Sequence, residues 1–190
     1  MMSAELLAKC FASTRGVLAH VTPEQLQGAE TPCASWSVQE LVDHIVNGTT
    51  WFAAIAESGT PPGEDVFPPF TADNVVEVFD AGSARAVKAF AADGALERIM
   101  HLPFGDLPGA AFVYIACGDT FTHGWDLAKA TGQSTDLDPE TAAQLLEIVS
   151  PMLPDALRGE EGHAPFGPRQ EAPAGATAAD KVAAFMGRRI

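Results

Sequence analysis

The sequence predicts an all-α fold: a four-helix bundle with short accessory helices and an irregular C-terminal tail. Two observations carry this. Four long stretches place apolar residues at helical spacing. Caps, glycines and prolines punctuate the boundaries between them. The 190 residues, 47% of them hydrophobic, suffice for one domain with a sizeable core. That domain is read as residues 1–190, with 159–190 as tail and short terminal helix.

The first helix is read from a cap at Ser3 to about Ala19, with Leu6, Leu7, Cys10, Phe11, Thr14, Val17 and Leu18 inward. Cys10 reads as a small core group. His20 sits at the helix end, facing water. Thr22-Pro23-Glu24-Gln25 joins a cap, a first-turn proline and a capping-box glutamine, and so starts a short helix. Ser37 and Glu40 form a second capping box, ahead of the helix in WSVQELVDHIVNGTTWFAAI. Trp36 and Leu41 are placed to staple it. Leu41, Ile45, Gly48, Phe52 and Ile55 make its stripe, with His44 at the edge and Asp43 towards water.

Residues 58–70, SGTPPGEDVFPPF, cannot continue a helix, and Phe67 and Phe70 are expected to cover a pocket. Thr71 is expected to cap a third long helix reaching about Ala92, with Phe79, Gly82, Ala86 and Phe90 inward. Residues 96–107 are read as turns with at most a short extended piece, and His101 as a surface group. A fourth long helix covers 110–131 and stops at Gly132. Asp138-Pro139-Glu140 begins another, which Ser150-Pro151 breaks or bends. The tail holds Phe166, expected near the pocket mouth, Arg169, a candidate cover, and His163, not expected as a ligand. A last helix spans about 178–186, anchored by Val182, Phe185 and Met186.

Chemistry concentrates on the fourth long helix. Asp119 and His123 lie four residues apart, on one face and one turn apart. Phe112, Ile115, Ala116 and Ala130 share that side, so the pair points inward. A carboxylate and an imidazole so placed can hold a divalent metal. Asp126 lies near the same direction and, if buried, needs a partner. His44 is the third candidate ligand, since its stripe can face this helix. The competing reading is a hydrogen-bonded core histidine with a salt bridge. A three-ligand His44/Asp119/His123 site leaves positions for water or substrate, the mark of a catalytic arrangement. Zinc fits best, and nickel or iron also fit.

Formal charge is -14, which excludes nucleic acid and anionic membrane surfaces as partners. Neither a membrane span nor a leader pattern is visible, so a cytoplasmic location is expected. Cys10, Cys33 and Cys117 imply thiols in a reducing compartment. Cys33, just ahead of a helix, is a minor candidate for reactivity. An apolar helix face or the proline-rich loop offers a surface for a homodimer.

At Thr31-Pro32-Cys33, Trp36-Ser37-Val38, Leu41-Val42-Asp43-His44 and Asp119-Thr120-Phe121-Thr122-His123-Gly124-Trp125-Asp126-Leu127-Ala128, the chain resembles the DinB-like metal-binding bundle superfamily. More narrowly it resembles the mycothiol-dependent maleylpyruvate isomerase N-terminal-domain type of actinobacteria. Phe166-Gly167 and Phe185-Met186-Gly187-Arg188 extend the match. The resemblance implies His44, Asp119 and His123 as metal ligands and mycothiol as cosubstrate. The characterised isomerase has glutamate where this chain has Asp119, and a further C-terminal domain for which little room remains. Maleylpyruvate isomerisation itself is therefore not expected. The expected function is a divalent-metal-dependent thiol transferase or isomerase-like enzyme acting on a small electrophile. The alternatives are a non-catalytic metal-binding bundle and a metal-dependent hydrolase. No glutamate beside the Asp119/His123 pair offers itself as a water-activating base.

Overall fold

The computed structural model describes residues 2–27, 30–33, 36–153, 155–159 and 166–190. Four helices form a ring: α1 (Met2–Leu18), α3 (Val38–Ser58), α4 (Val75–Phe90) and α5 (Gly109–Ala130). The short α2 (Pro23–Leu26) lies between the first two. α3 packs along α4 and α1 along α5, while α1–α4 and α3–α5 contacts close the ring. Helices α1 and α3 are thus diagonal, as are α4 and α5. Two outer helices, α6 (Pro139–Met152) and α7 (Ala178–Phe185), pack on each other and against α5. The fold is mainly α, as expected, with a four-helix core. Among the described residues no helix is long and apolar enough to cross a membrane.

Trp125, Phe79, Phe90, Phe112 and Phe121 are fully buried at the centre. Each such side chain contributes about 1.5–3 kcal/mol by leaving water. Two close approaches set the helix registers. Thr14 donates to the Thr120 carbonyl at 2.8 Å, tying α1 to α5 one residue beyond Asp119. A methyl group on Gly124 would lie 2.3 Å from the Thr14 hydroxyl, so only glycine admits α1 at that distance. Gly82 does the same for α4 against Thr49 of α3.

Several boundaries differ from expectation. Ser3 lies buried in the first turn of α1 rather than ahead of it. Helix α4 starts after Asn74, and Thr71 donates its backbone N–H to the Asn74 side chain at 2.6 Å. The turn at 71–74 displaces the helix start by one turn. Pro151 lies in the last turn of α6, which ends one residue later at Met152, so the expected break falls at the helix end, and a helical turn at Asp155–Leu157 follows. Residues 96–107 contain a two-stranded antiparallel hairpin, β1 (Ile99–Leu102) and β2 (Gly105–Pro108), with Leu102 paired to Gly105. Met100 and Leu102 point into the core from β1, which explains the alternation there.

Candidate metal centre

Helices α3 and α5 bring the three expected residues together. The Ser37–Glu40 capping box starts α3 and leaves His44 two turns in. Its Nε2 lies 3.3 Å from both carboxylate oxygens of Asp119 on α5. His123 Nε2 lies 3.5 Å from Asp119 Oδ1. All three potential ligand atoms lie within 4.8 Å of one another. These separations are longer than a good charged hydrogen bond. They match the edge of a tetrahedron around an ion with bonds of roughly 2.0–2.1 Å, which is about 3.3–3.4 Å. Two nitrogens and a carboxylate are also a donor set suited to zinc or a similar ion. The residues fit a divalent metal.

Trp36 makes contacts beyond those expected of a helix staple. Its ring centroid lies 4.6 Å from that of His44 and 5.4 Å from that of His123. It packs against both imidazoles with tilted rings, in addition to packing against the core.

The other face of His123 carries what local spacing did not show. His123 Nδ1 lies 3.0 Å from Asp126 Oδ2. Asp126 is fully buried, and Arg188 closes on it with Nε at 2.9 Å from Oδ1 and Nη2 at 2.8 Å from Oδ2. The same Nη2 reaches Cys33 Sγ at 3.1 Å, and the Cys33 thiol donates to Asp126 Oδ2 at 3.2 Å. Asp126 thereby acquires the partner its burial demands. With Nδ1 donating to Asp126, the neutral ring leaves Nε2 free to ligate. Cys33, His123 and Asp126 also lie close enough to form a ligand group. The Arg188 guanidinium already neutralises that cluster, so it is not a second ion site.

Arg188 arrives through a tight approach. Trp125 donates its indole N–H to Asp180 at 2.9 Å, fixing α7 against α5. Gly187 then turns with φ +97°, and a methyl group there would lie 2.9 Å from Gly167 Cα. Neighbouring α5 residues, Trp125 and Asp126, therefore hold α7 and the segment that follows it.

Charges within the site reinforce one another. Burial tends to raise the Asp119 carboxyl, but His44 and His123 outweigh it and hold it well below the usual carboxylate range. For His123 burial tends to lower the value, yet the Asp119 charge and the carboxylate hydrogen bonds push it well above the ordinary imidazole value. Asp126 is likewise held low against burial by His123 and Arg188, and Arg188 is raised against burial by Asp126.

His44 and Asp119 form part of the wall of a cavity of about 720 Å³. Phe67, Phe104 and Phe166 line it, so the expectation for Phe67 and Phe166 agrees with the structure. Phe70 lies elsewhere, beside Leu18 and Val75. Asp43 is half-buried in the cavity wall rather than free in water, and accepts from Gln39 at 2.8 Å. Arg169 does not cover the cavity; it stacks on Phe185 and pairs with Asp155. His101 is exposed and pairs with Asp106 at the hairpin. His163 lies outside the described residues.

Comparison with known proteins agrees with this architecture. Residues 7–128 match the family described as "Mycothiol maleylpyruvate isomerase N-terminal domain". The chain belongs to this family. The match spans α1 to α5 and includes His44, Asp119 and His123, but ends before Arg188. Two uncharacterized proteins of Mycobacterium tuberculosis, from strains CDC 1551 / Oshkosh and H37Rv, are each 37% identical over 174 residues. Those alignments cover 92% of this chain and 91% of each relative. No solved structure gives a significant match.

Proposed function

We propose that this protein is a divalent-metal-dependent transferase or isomerase-like enzyme that joins a low-molecular-weight thiol, mycothiol, to a small electrophile. The observation that carries the reading is the donor set. Three ligand atoms on adjacent helices stand at metal-bridging separations, at the wall of a large cavity, in a family whose description names mycothiol.

His44 and His123 would each hold the ion through Nε2, and Asp119 through a carboxylate oxygen. When bound, the ion supplies the Lewis acidity that favours a thiol's anionic form at neutral pH. Asp126 orients His123 and keeps its ligating nitrogen available. Trp36 limits rotation of both rings. The reaction balances without a protein nucleophile. The thiol releases its proton to solvent, and a sulfur electron pair forms the new carbon–sulfur bond. The displaced pair then departs with a leaving group, or takes up a proton where the electrophile is an activated double bond. Asp126 could not serve the alternative hydrolase reading as a base, because it is held by Arg188 and His123 and has no exposed surface.

The test is metal analysis of freshly purified protein alongside a mycothiol–electrophile screen. His44→Ala and His123→Ala should each lose most of the metal and any thiol-dependent product. Metal occupancy unchanged in both variants would overturn the ligand assignment. Metal-dependent stability without turnover across the screen would instead favour a non-catalytic bundle.

A further inference from the structure

The cavity beside the ligand set constrains what can react there. We propose that it receives an uncharged, largely apolar electrophile, and that carboxylate-bearing acceptors are excluded by its walls. This rests on the metal–thiol reading and specifies its second substrate.

Volume, surface and charge agree. About 720 Å³ is the size of a small-molecule site. Trp51 and Phe52 of α3, Phe104 of the hairpin and Phe166 of the tail supply aromatic walls from three separate parts of the chain. Neutral hydrogen-bonding groups come from Asn47 and Tyr114, enough to orient a carbonyl without demanding a charge. Apart from His44 and Tyr114, the ionisable wall residues among those described are the carboxylates Asp43, Asp106 and Asp119. No lysine or arginine lines the cavity among the described residues, and the undescribed residues include neither type. Arg188 is no substitute, since it lies on the Nδ1 side of His123 and is engaged by Asp126 and Cys33.

A carboxylate entering this space would leave water for apolar walls and face the carboxylates of Asp43, Asp106 and Asp119, with no lysine or arginine in the described lining to receive it. A protein carrying a formal charge of -14 adds a repulsive field to that approach. An uncharged aromatic or branched aliphatic body pays neither penalty and removes apolar surface from water on both sides. The discrimination is therefore that of the walls, and the metal-free protein isolates it.

A matched pair of fluorescent probes tests this. N-phenyl-1-naphthylamine is neutral, and 1-anilinonaphthalene-8-sulfonate carries the same rings with one negative charge. Titrated into the metal-free full chain, the neutral probe should bind at least about tenfold more tightly. Filling the cavity with Ile115→Trp should weaken the neutral probe by about tenfold or more. Leu157→Arg, at the exposed rim, should tighten the sulfonate and narrow the gap to about threefold or less. Equal or tighter sulfonate binding by the unmodified protein would overturn the inference. So would a neutral-probe affinity unmoved by Ile115→Trp, which would place the probe elsewhere. Turnover separates this inference from the reading beneath it. Probe selectivity with no mycothiol-dependent product supports the apolar ligand class while removing the thiol reaction. Product from dicarboxylate electrophiles and none from neutral ones would remove the present inference and leave the thiol reaction standing.

Discussion

The two nitrogens of His123 face opposite kinds of surroundings. On the Nδ1 side, Asp126 has no exposed surface, and its bonds to His123 and Arg188 are 2.8–3.1 Å long. On the Nε2 side, Asp119 and His44 keep 28% and 36% of their side-chain surface exposed, and the separations are 3.3–3.5 Å. One side is closed, short and charge-balanced. The other is open, and spaced as if for a small cation. The same ring is thus held rigidly from behind and left unsaturated in front. A ligand residue needs both properties: fixed orientation, and a donor atom not already consumed.

The largest effect should come from breaking the closed side. Arg188→Ala leaves Asp126 buried without its cation, a loss of about 3–5 kcal/mol. Urea unfolding of the metal-free protein measures it, and Arg188→Lys should recover only part, because the two-pronged contact is lost. A loss below about 1 kcal/mol would mean that the pair does not hold the tail. Next, Asp126→Asn keeps the shape but weakens the grip on His123. Metal affinity should fall about 10–100-fold by isothermal titration, although no ligand atom has changed. An unchanged affinity would show that the two sides of the ring act independently.

Acidity sharpens the same contrast. In the metal-free protein the raised His123 value gives stability that is complete below about pH 6.5 and is lost as pH rises through the folded value. Asp119 and Asp126 are depressed, so their contribution is present above about pH 3.9 and is lost as pH falls through their folded values. Ligation needs Nε2 without a proton. Metal affinity should therefore climb with pH throughout the range below the folded His123 value, by up to about tenfold per unit, until His123 has lost its proton in the free protein. Titrations in that range would contradict this proton competition if they gave a flat profile. The smallest change is expected at Asp119→Glu, which retains a carboxylate but moves it by one methylene. It should keep partial metal occupancy with altered activity, and occupancy as low as that of His44→Ala would rule out such tolerance.

The open side was largely legible in the sequence. The four-residue spacing of Asp119 and His123 sets their common face, and the capping box at Ser37 sets where His44 emerges. The closed side was not. Asp126 and Arg188 are 62 residues apart, and Cys33 lies 93 before Asp126, so no helical period links them. The available signal was indirect: a carboxylate inside an apolar face needed a partner, and the family resemblance reached Arg188 without giving it a role. The hairpin escaped because its strands are four residues each and only β1 alternates. The contacts of Trp36 with the two imidazoles were hidden because local spacing cannot see side chains brought in from other elements.

The 62-residue interval between Asp126 and Arg188 also has a meaning in time. A ribosome adds about 5–20 residues per second, so roughly 3–12 s separate the synthesis of the two residues. Throughout that interval α5 exists without the guanidinium that its most deeply buried carboxylate requires. Asp126 must remain hydrated or hold a proton, and the bundle cannot close fully around it. His123 therefore gains its final orientation only after α7 has docked. Any metal capture at His44, Asp119 and His123 would be correspondingly late, set by the arrival of a distant arginine rather than by the formation of the helices that carry these residues.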